Sequence, residues 1–238
     1  RGRPAEIVLA QDNRTGGISY WQARDHQSVA DRFGVSLAEY IHALFGLMLQ
    51  RRPRHVLMIG CAGGTLATML SRAGILVSLV DIDPLSFEIA RRYFHMPEDV
   101  NCHVRDGADF LRRTKTRYDA VILDAFADTI IPPHLLASGF FRLVKSRLNR
   151  GGVFLVNIVV RDDDDPAPDR IARTMRKAWR QVRLLDADGF VNRNAVAMGG
   201  AVKGLERPRL LMKPAHGSRA LEKSLAQLCF RPLRRAQT

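Results

Sequence analysis

The sequence predicts an α/β protein with a doubly wound, mostly parallel sheet, and three observations predict it. From residue 55 onward, short apolar runs of strand length alternate with stretches of helical periodicity. The first of those runs passes directly into a glycine-rich turn that opens a helix. Acidic residues then stand at the ends of the next three runs, the edge of an open α/β sheet where ligands collect.

The elements follow in order. Alternating stretches at Ile7–Ala10 and Ile18–Gln22 flank Asp12, Asn13, Gly16 and Gly17, and read as a small β-hairpin region over residues 1–35. From Ser36 the period changes: Leu37, Tyr40, Ile41, Leu44, Phe45 and Met48 recur at helical spacing, with Ser36 and Glu39 as a capping box. Strands are then expected at His55–Ile59, Leu76–Val80, Val100–Val104, Ala120–Leu123, Val153–Val159, Val182–Leu185 and Ala195–Met198. Helices are expected at Thr65–Arg72, Pro84–Tyr93, Ala108–Arg113, Ser138–Leu148, Asp169–Trp179 and Ser218–Leu228. The whole is a Rossmann-like domain over residues 36–238 with a seven-stranded sheet, preceded by the hairpin region.

Composition narrows the class. With 238 residues, 46% of them hydrophobic, the chain can bury one sizeable core. No apolar run approaches the ~20 residues of a membrane span, and no charged-then-apolar leader opens the sequence. Cys61, Cys102 and Cys229 are widely separated, which argues against a disulfide framework and a zinc cluster. A cytoplasmic setting without a metal site is expected. The formal charge is +13, and residues 161–238 carry most of the excess, with 17 Lys+Arg against 9 Asp+Glu. No aromatic residues punctuate that basic stretch in the manner of a nucleic-acid surface, so no dedicated nucleic-acid site is expected. The acids Asp162–Asp165 read as a solvated loop leading into a helix.

The chemistry concentrates at four strand ends. Gly60-Cys61-Ala62-Gly63-Gly64-Thr65 lets backbone amides approach a ligand, although its spacing is not Gly-x-Gly-x-x-Gly. Asp81, 21 positions after Gly60, stands where a carboxylate accepts hydrogen bonds from both ribose hydroxyls, with Ile82 beside it. Asp83 before Pro84 reads as a helix cap. Asp106, followed by Gly107, can accept from an exocyclic adenine amine, and Asp124 ends the fourth strand. Cys61 lacks a nearby histidine and reads as a small filler rather than a nucleophile.

These motifs resemble the spermidine-synthase-like (polyamine aminopropyltransferase) branch of the class I S-adenosylmethionine-dependent transferases. The resemblance runs from about Ser19 to Val160, through Val56–Gly60, Val80–Pro84, Asp106-Gly107 and Tyr118–Asp124. It implies S-adenosylmethionine or its decarboxylated form as cofactor, held by Gly60, Gly63, Asp81, Ile82, Asp106, Gly107 and Asp124. It implies a small amine as acceptor, lined by Gln27, Tyr40 and His42, with Asp124 as the proton acceptor and Asp128 as its partner. It also implies a homodimer. The family's glycine loop usually reads Gly-Gly-Gly-Asp-Gly, and here the acid is missing. That departure keeps open a small-molecule methyltransferase using intact S-adenosylmethionine, and, outside enzymes, a non-catalytic nucleoside- or nucleic-acid-binding module.

Overall fold

The computed structural model describes residues 6–22, 25–127 and 130–234. Strands β1 (Ile7–Gln11), β2 (Ile18–Gln22) and β3 (Asp25–Ala30) form an antiparallel N-terminal sheet, so a third strand joins the expected hairpin. That strand reads Asp-His-Gln-Ser-Val-Ala, too polar to announce itself as one. Helix α1 (Glu39–Leu49) follows. Its N-cap is Ala38, without a side-chain cap, so the Ser36–Glu39 capping box does not form. Ser36 is instead bridged to Ala30, and its hydroxyl accepts from the Ala38 amide.

The remaining elements alternate: β4 (His55–Ile59), α2 (Thr65–Arg72), β5 (Leu76–Asp81), α3 (Pro84–Phe94), β6 (Asn101–Val104), α4 (Gly107–Arg113) and β7 (Tyr118–Leu123). A 3₁₀ turn at Pro133–Leu136 leads to α5 (Ser138–Arg147), β8 (Leu148–Val160), α6 (Ala167–Met175), β9 (Val182–Asp186), β10 (Arg193–Gly200), α7 (Ser218–Gln227) and β11 (Cys229–Arg231). The main sheet runs β11-β9-β10-β8-β7-β4-β5-β6. Its five strands from β6 to β8 are parallel, and β10, β9 and β11 add on antiparallel. The fold class is the expected one, with β11 as an eighth, short strand.

Alternation along each strand sends side chains to opposite faces. Val56 and Met58 of β4 enter the core beneath α1, α2, α3 and α7, whereas Leu57 and Ile59 enter the core beneath α4, α5 and α6. The chain builds outward from β4 to β6, then returns to build β7 and β8 on the other side. The order therefore reverses between β4 and β7, and a crevice opens beyond their carboxyl ends.

A buried ion-pair network fastens the antiparallel edge. Asp186 is fully buried and accepts from Arg193 Nε at 2.8 Å and from Arg231 Nε at 2.9 Å. Arg231 also donates to the buried Asp169 of α6 at 2.9 Å. These bonds explain why a three-residue strand persists at the sheet edge. Burial alone would raise the Asp186 carboxyl, but the bonds from Arg193 and Arg231 outweigh it and hold it below the usual range. A depressed carboxyl contributes stability at pH above its unfolded value of about 3.9, and that contribution is lost as pH falls through the folded value. Asp186→Ala leaves two buried guanidinium groups short of a partner and should cost about 3–5 kcal/mol. Urea denaturation monitored by circular dichroism reads this, and a loss under about 0.5 kcal/mol, the range of an ordinary surface substitution, would show the network to be idle.

Candidate active site

The crevice forms because two backbones nearly touch. Gly60 follows β4 with φ +103°, donates its amide to Val80 O at 2.9 Å, and lies so close to Asp124 that a Cβ there would strike the Asp124 carbonyl. Only glycine satisfies both the conformation and the approach. The Asp124 amide in turn donates to Ile59 O at 2.8 Å, which locks the end of β7 to the end of β4. Gly107 opens α4 hard against β4, since a Cβ there would sit 2.5 Å from Ile59 Cγ2. The resulting cavity is about 510 Å³.

Asp81 organises one wall. Its Oδ2 accepts the Cys61 amide at 2.7 Å and its Oδ1 the Asp83 amide at 2.9 Å, so one carboxylate ties the glycine turn to the start of α3. Burial raises the Asp81 carboxyl despite those bonds. Asp83 caps α3 by accepting from the Leu85 amide. Ile82 lines the same wall and is 73% exposed, which leaves an apolar surface free for a ligand. Cys61 is buried, and burial together with the nearby Asp81 pushes its thiol well up, so it is a poor nucleophile.

Asp106 caps α4 through Oδ1, which accepts from Ala108 and Asp109 at 3.0 and 2.9 Å. Its Oδ2 accepts from His134 Nε2 at 2.7 Å. Burial would raise this carboxyl, but the bonds from Asp109, His134 and Ala108 hold it below the usual range. Asp106 is thus an ionised acceptor at the crevice wall, already engaged by a histidine from the 3₁₀ turn.

Asp124 lies at the base, where burial pushes its carboxyl up to about 6. Asn157 of β8 donates to Asp124 Oδ1 at 2.7 Å, and Asn194 of β10 donates to Asn157 Oδ1 at 3.0 Å. The N-terminal sheet and α1 close the opposite side through Tyr20, Gln27 and Tyr40. Burial and the neighbouring Asp124 raise the Tyr40 phenol well above its ordinary value, so it remains a hydrogen-bond donor.

The structure thus brings Gly60, Asp81, Ile82, Asp106, Gly107, Asp124, Gln27 and Tyr40 together around one cavity. Two expected residues lie elsewhere. Gly63 faces the N-terminal sheet, donating its amide to Ser28 Oγ at 2.9 Å. His42 is fully buried on α1, where Nε2 donates to Ser36 O at 2.7 Å. Its spacing two residues from Tyr40 turns it to a different face of the helix, into the core rather than the crevice. Asp128 lies outside the described residues. Sequence reasoning missed Asp25, Asn157, Asn194 and the reach of His134, all of which line the cavity. Asn157 carried a signal, as an isolated amide inside the apolar run from Val153 to Val160. Among the described residues no group of three or more His, Cys, Asp or Glu gathers as metal ligands would.

Comparison with known proteins fits this geometry. Residues 37–163, more than half of the chain, match the spermine/spermidine synthase domain model. The chain belongs to that family. A probable polyamine aminopropyl transferase of Bifidobacterium longum is 28% identical over 158 residues, covering 65% of this chain and 35% of the relative. The eEF1A lysine and N-terminal methyltransferase of Bos taurus is 26% identical over 193 residues, covering 75% of this chain and 27% of that protein. The chain thus spans only about a third of the length of such curated relatives. Among solved structures, a probable spermidine synthase from Corynebacterium glutamicum superposes with a TM-score of 0.77 at 18% identity, covering 98% of this chain and 89% of that one. At that identity the likeness speaks for the fold, here a spermidine-synthase-like one.

The Asp81 arrangement yields a direct test. Asp81→Ala removes a charged acceptor and frees the Cys61 amide, and should weaken methylthioadenosine binding by about 1.5–3 kcal/mol, roughly 10- to 150-fold. Titration calorimetry measures it, and unchanged affinity would remove Asp81 from the binding site.

Proposed function

We propose that this chain transfers an aminopropyl group from decarboxylated S-adenosylmethionine to a small amine. The observation that carries the reading is the sign of the crevice. Among the described residues, Asp25, Asp81, Asp83, Asp106 and Asp124 line it with one guanidinium, Arg105, which is itself paired with Asp109 at 2.8 Å. In a chain with a formal charge of +13, this lining of acids suits cationic ligands. The family and the names of its relatives point the same way.

The residues fit such a donor: Asp81 can accept from ribose hydroxyls, Ile82 offers an apolar surface to the base, and Asp106 can accept from its amine. When bound, the sulfonium supplies a carbon open to in-line displacement. The acceptor amine forms its new C–N bond there as the C–S bond breaks, the bonding pair stays on sulfur, and the amine sheds a proton. Asp124 takes that proton, while Asn157 fixes the orientation of its carboxylate and the Tyr40 phenol stands near it. An expected partner role for Asp128 belongs to the same reading.

A second reading is methyl transfer from intact S-adenosylmethionine. The turn Gly60–Gly64 presents no carboxylate to repel that of the donor, and the similarity to the Bos taurus methyltransferase supports it. We also propose a homodimer in a cytoplasmic setting. Three free cysteines favour a reducing compartment, and among the described residues no helix is long and apolar enough to cross a membrane. Sedimentation at twice the 26.7 kDa chain mass tests the dimer.

Asp124→Asn should retain donor binding and lose most turnover, because an amide accepts no proton. With the carboxyl at about 6, kcat/KM should rise with pH below that value and level off above it. The rise reflects deprotonation of a carboxyl lifted above its ordinary value, and it should vanish in the variant. Turnover within about threefold of the parent, under 1 kcal/mol in barrier, would remove Asp124 from proton transfer.

A further inference from the structure

At the opposite edge of the sheet, two cavities of about 910 and 470 Å³ abut. They share Asn149, Arg150, Gly151 and Gly152 at the turn within β8. One wall carries Arg51, Arg52 and Arg54, between α1 and β4. The other carries Arg117 before β7, Lys145 of α5 and Arg180 before β9. The fold gathers these cations from stretches more than a hundred residues apart, so counting charge along the chain conceals them. They surround the amino ends of the parallel strands, while the acid-rich crevice occupies the carboxyl ends.

Among the described residues none of these seven cations has an acidic partner within 4 Å. The acid that lines the groove among the described residues, Asp119, is engaged by the Arg54 and His55 amides and by Asn149 Nδ2 at 2.8–3.1 Å. Arg117 and Lys145 donate only to main-chain carbonyls, at 3.0 and 2.7 Å. Gly151, at φ +81°, leaves the floor open, since a Cβ there would meet nothing within 4 Å.

We propose that this groove binds the phosphodiester backbone of nucleic acid. Six of its seven cations are arginine, whose planar fork suits phosphate oxygens. The two cavities share residues 149–152, and among the described residues none of the large exposed apolar side chains lines either one to insert into lipid. Trp179 is buried and stacked on Phe154 at 5.5 Å, so the groove offers no free ring on which a base could stack. Recognition is therefore through phosphate charge, blind to sequence and steeply salt-dependent. The expectation of no nucleic-acid site rested on the last third of the chain, which supplies only Arg180 among these cations.

The test is fluorescence anisotropy with a fluorescein-labelled oligouridylate of about 16 nucleotides, the upper size of a single binding module. Affinity should fall with a log–log salt slope near −3, from about four phosphate contacts at roughly 0.7 each. Arg52, Arg150 and Arg180 are exposed, and their joint replacement by Glu should weaken binding at least tenfold while nucleoside affinity in the crevice stays unchanged. A control of equal charge change, Arg14→Glu with Arg219→Glu and Lys223→Glu, should cost under threefold. Equal losses in both variants would assign binding to net charge and overturn the groove. So would absent binding at about 50 mM salt, where phosphate contacts are strong. Tighter capture of phosphatidylserine-rich vesicles, lost in the groove variant, would replace nucleic acid with a membrane surface.

Discussion

The close approach of Gly60 to the Asp124 backbone governs this molecule. It places the end of β4 against the end of β7 at the point where strand order reverses, and the crevice exists because the two strands diverge from there. Asp81 reaches the same turn from β5 and binds the amide of the residue after Gly60. Three neighbouring strands thus converge on a few backbone atoms. Any side chain at position 60 would separate β4 from β7 and move Asp124 away from Asp81. The chemistry assigned to the crevice therefore depends on an atom that is absent.

Charge is arranged on the same axis. Carboxylates occupy the carboxyl ends of the parallel strands, and arginines without an acidic partner among the described residues occupy their amino ends. The buried cluster of Asp186, Arg193, Arg231 and Asp169 is different in kind, because its charges neutralise one another and fasten the antiparallel edge. The acids of residues 162–165 join this fastening: Asp163 pairs with Arg193 at 2.9 Å, and Asp165 accepts the Ala167 amide at the head of α6.

Much of this was legible in the sequence because it is local. Parallel strands buried on both faces announce themselves as apolar runs, and a loop–helix junction with an acid at each following strand end locates the crevice. What escaped depends on contacts between distant segments. His134 meets Asp106 across 28 residues, Asn157 meets Asp124 across 33, and no spacing rule connects them. β11 is three residues long and exists through ion pairs rather than a pattern. His42 misled because it shares a helix with Tyr40, yet its imidazole enters the core and burial holds it below its ordinary range. The basic groove was hidden for the same reason: its cations come from four separate stretches of chain.

On the proposed function, the negative crevice selects a positively charged nucleoside. Parallel calorimetric titration of decarboxylated S-adenosylmethionine and the uncharged thioether methylthioadenosine tests it most directly. The proposed function requires at least tenfold tighter binding of the cation, about 1.4 kcal/mol, narrowing at high salt. Equal or tighter binding of the neutral thioether would contradict it.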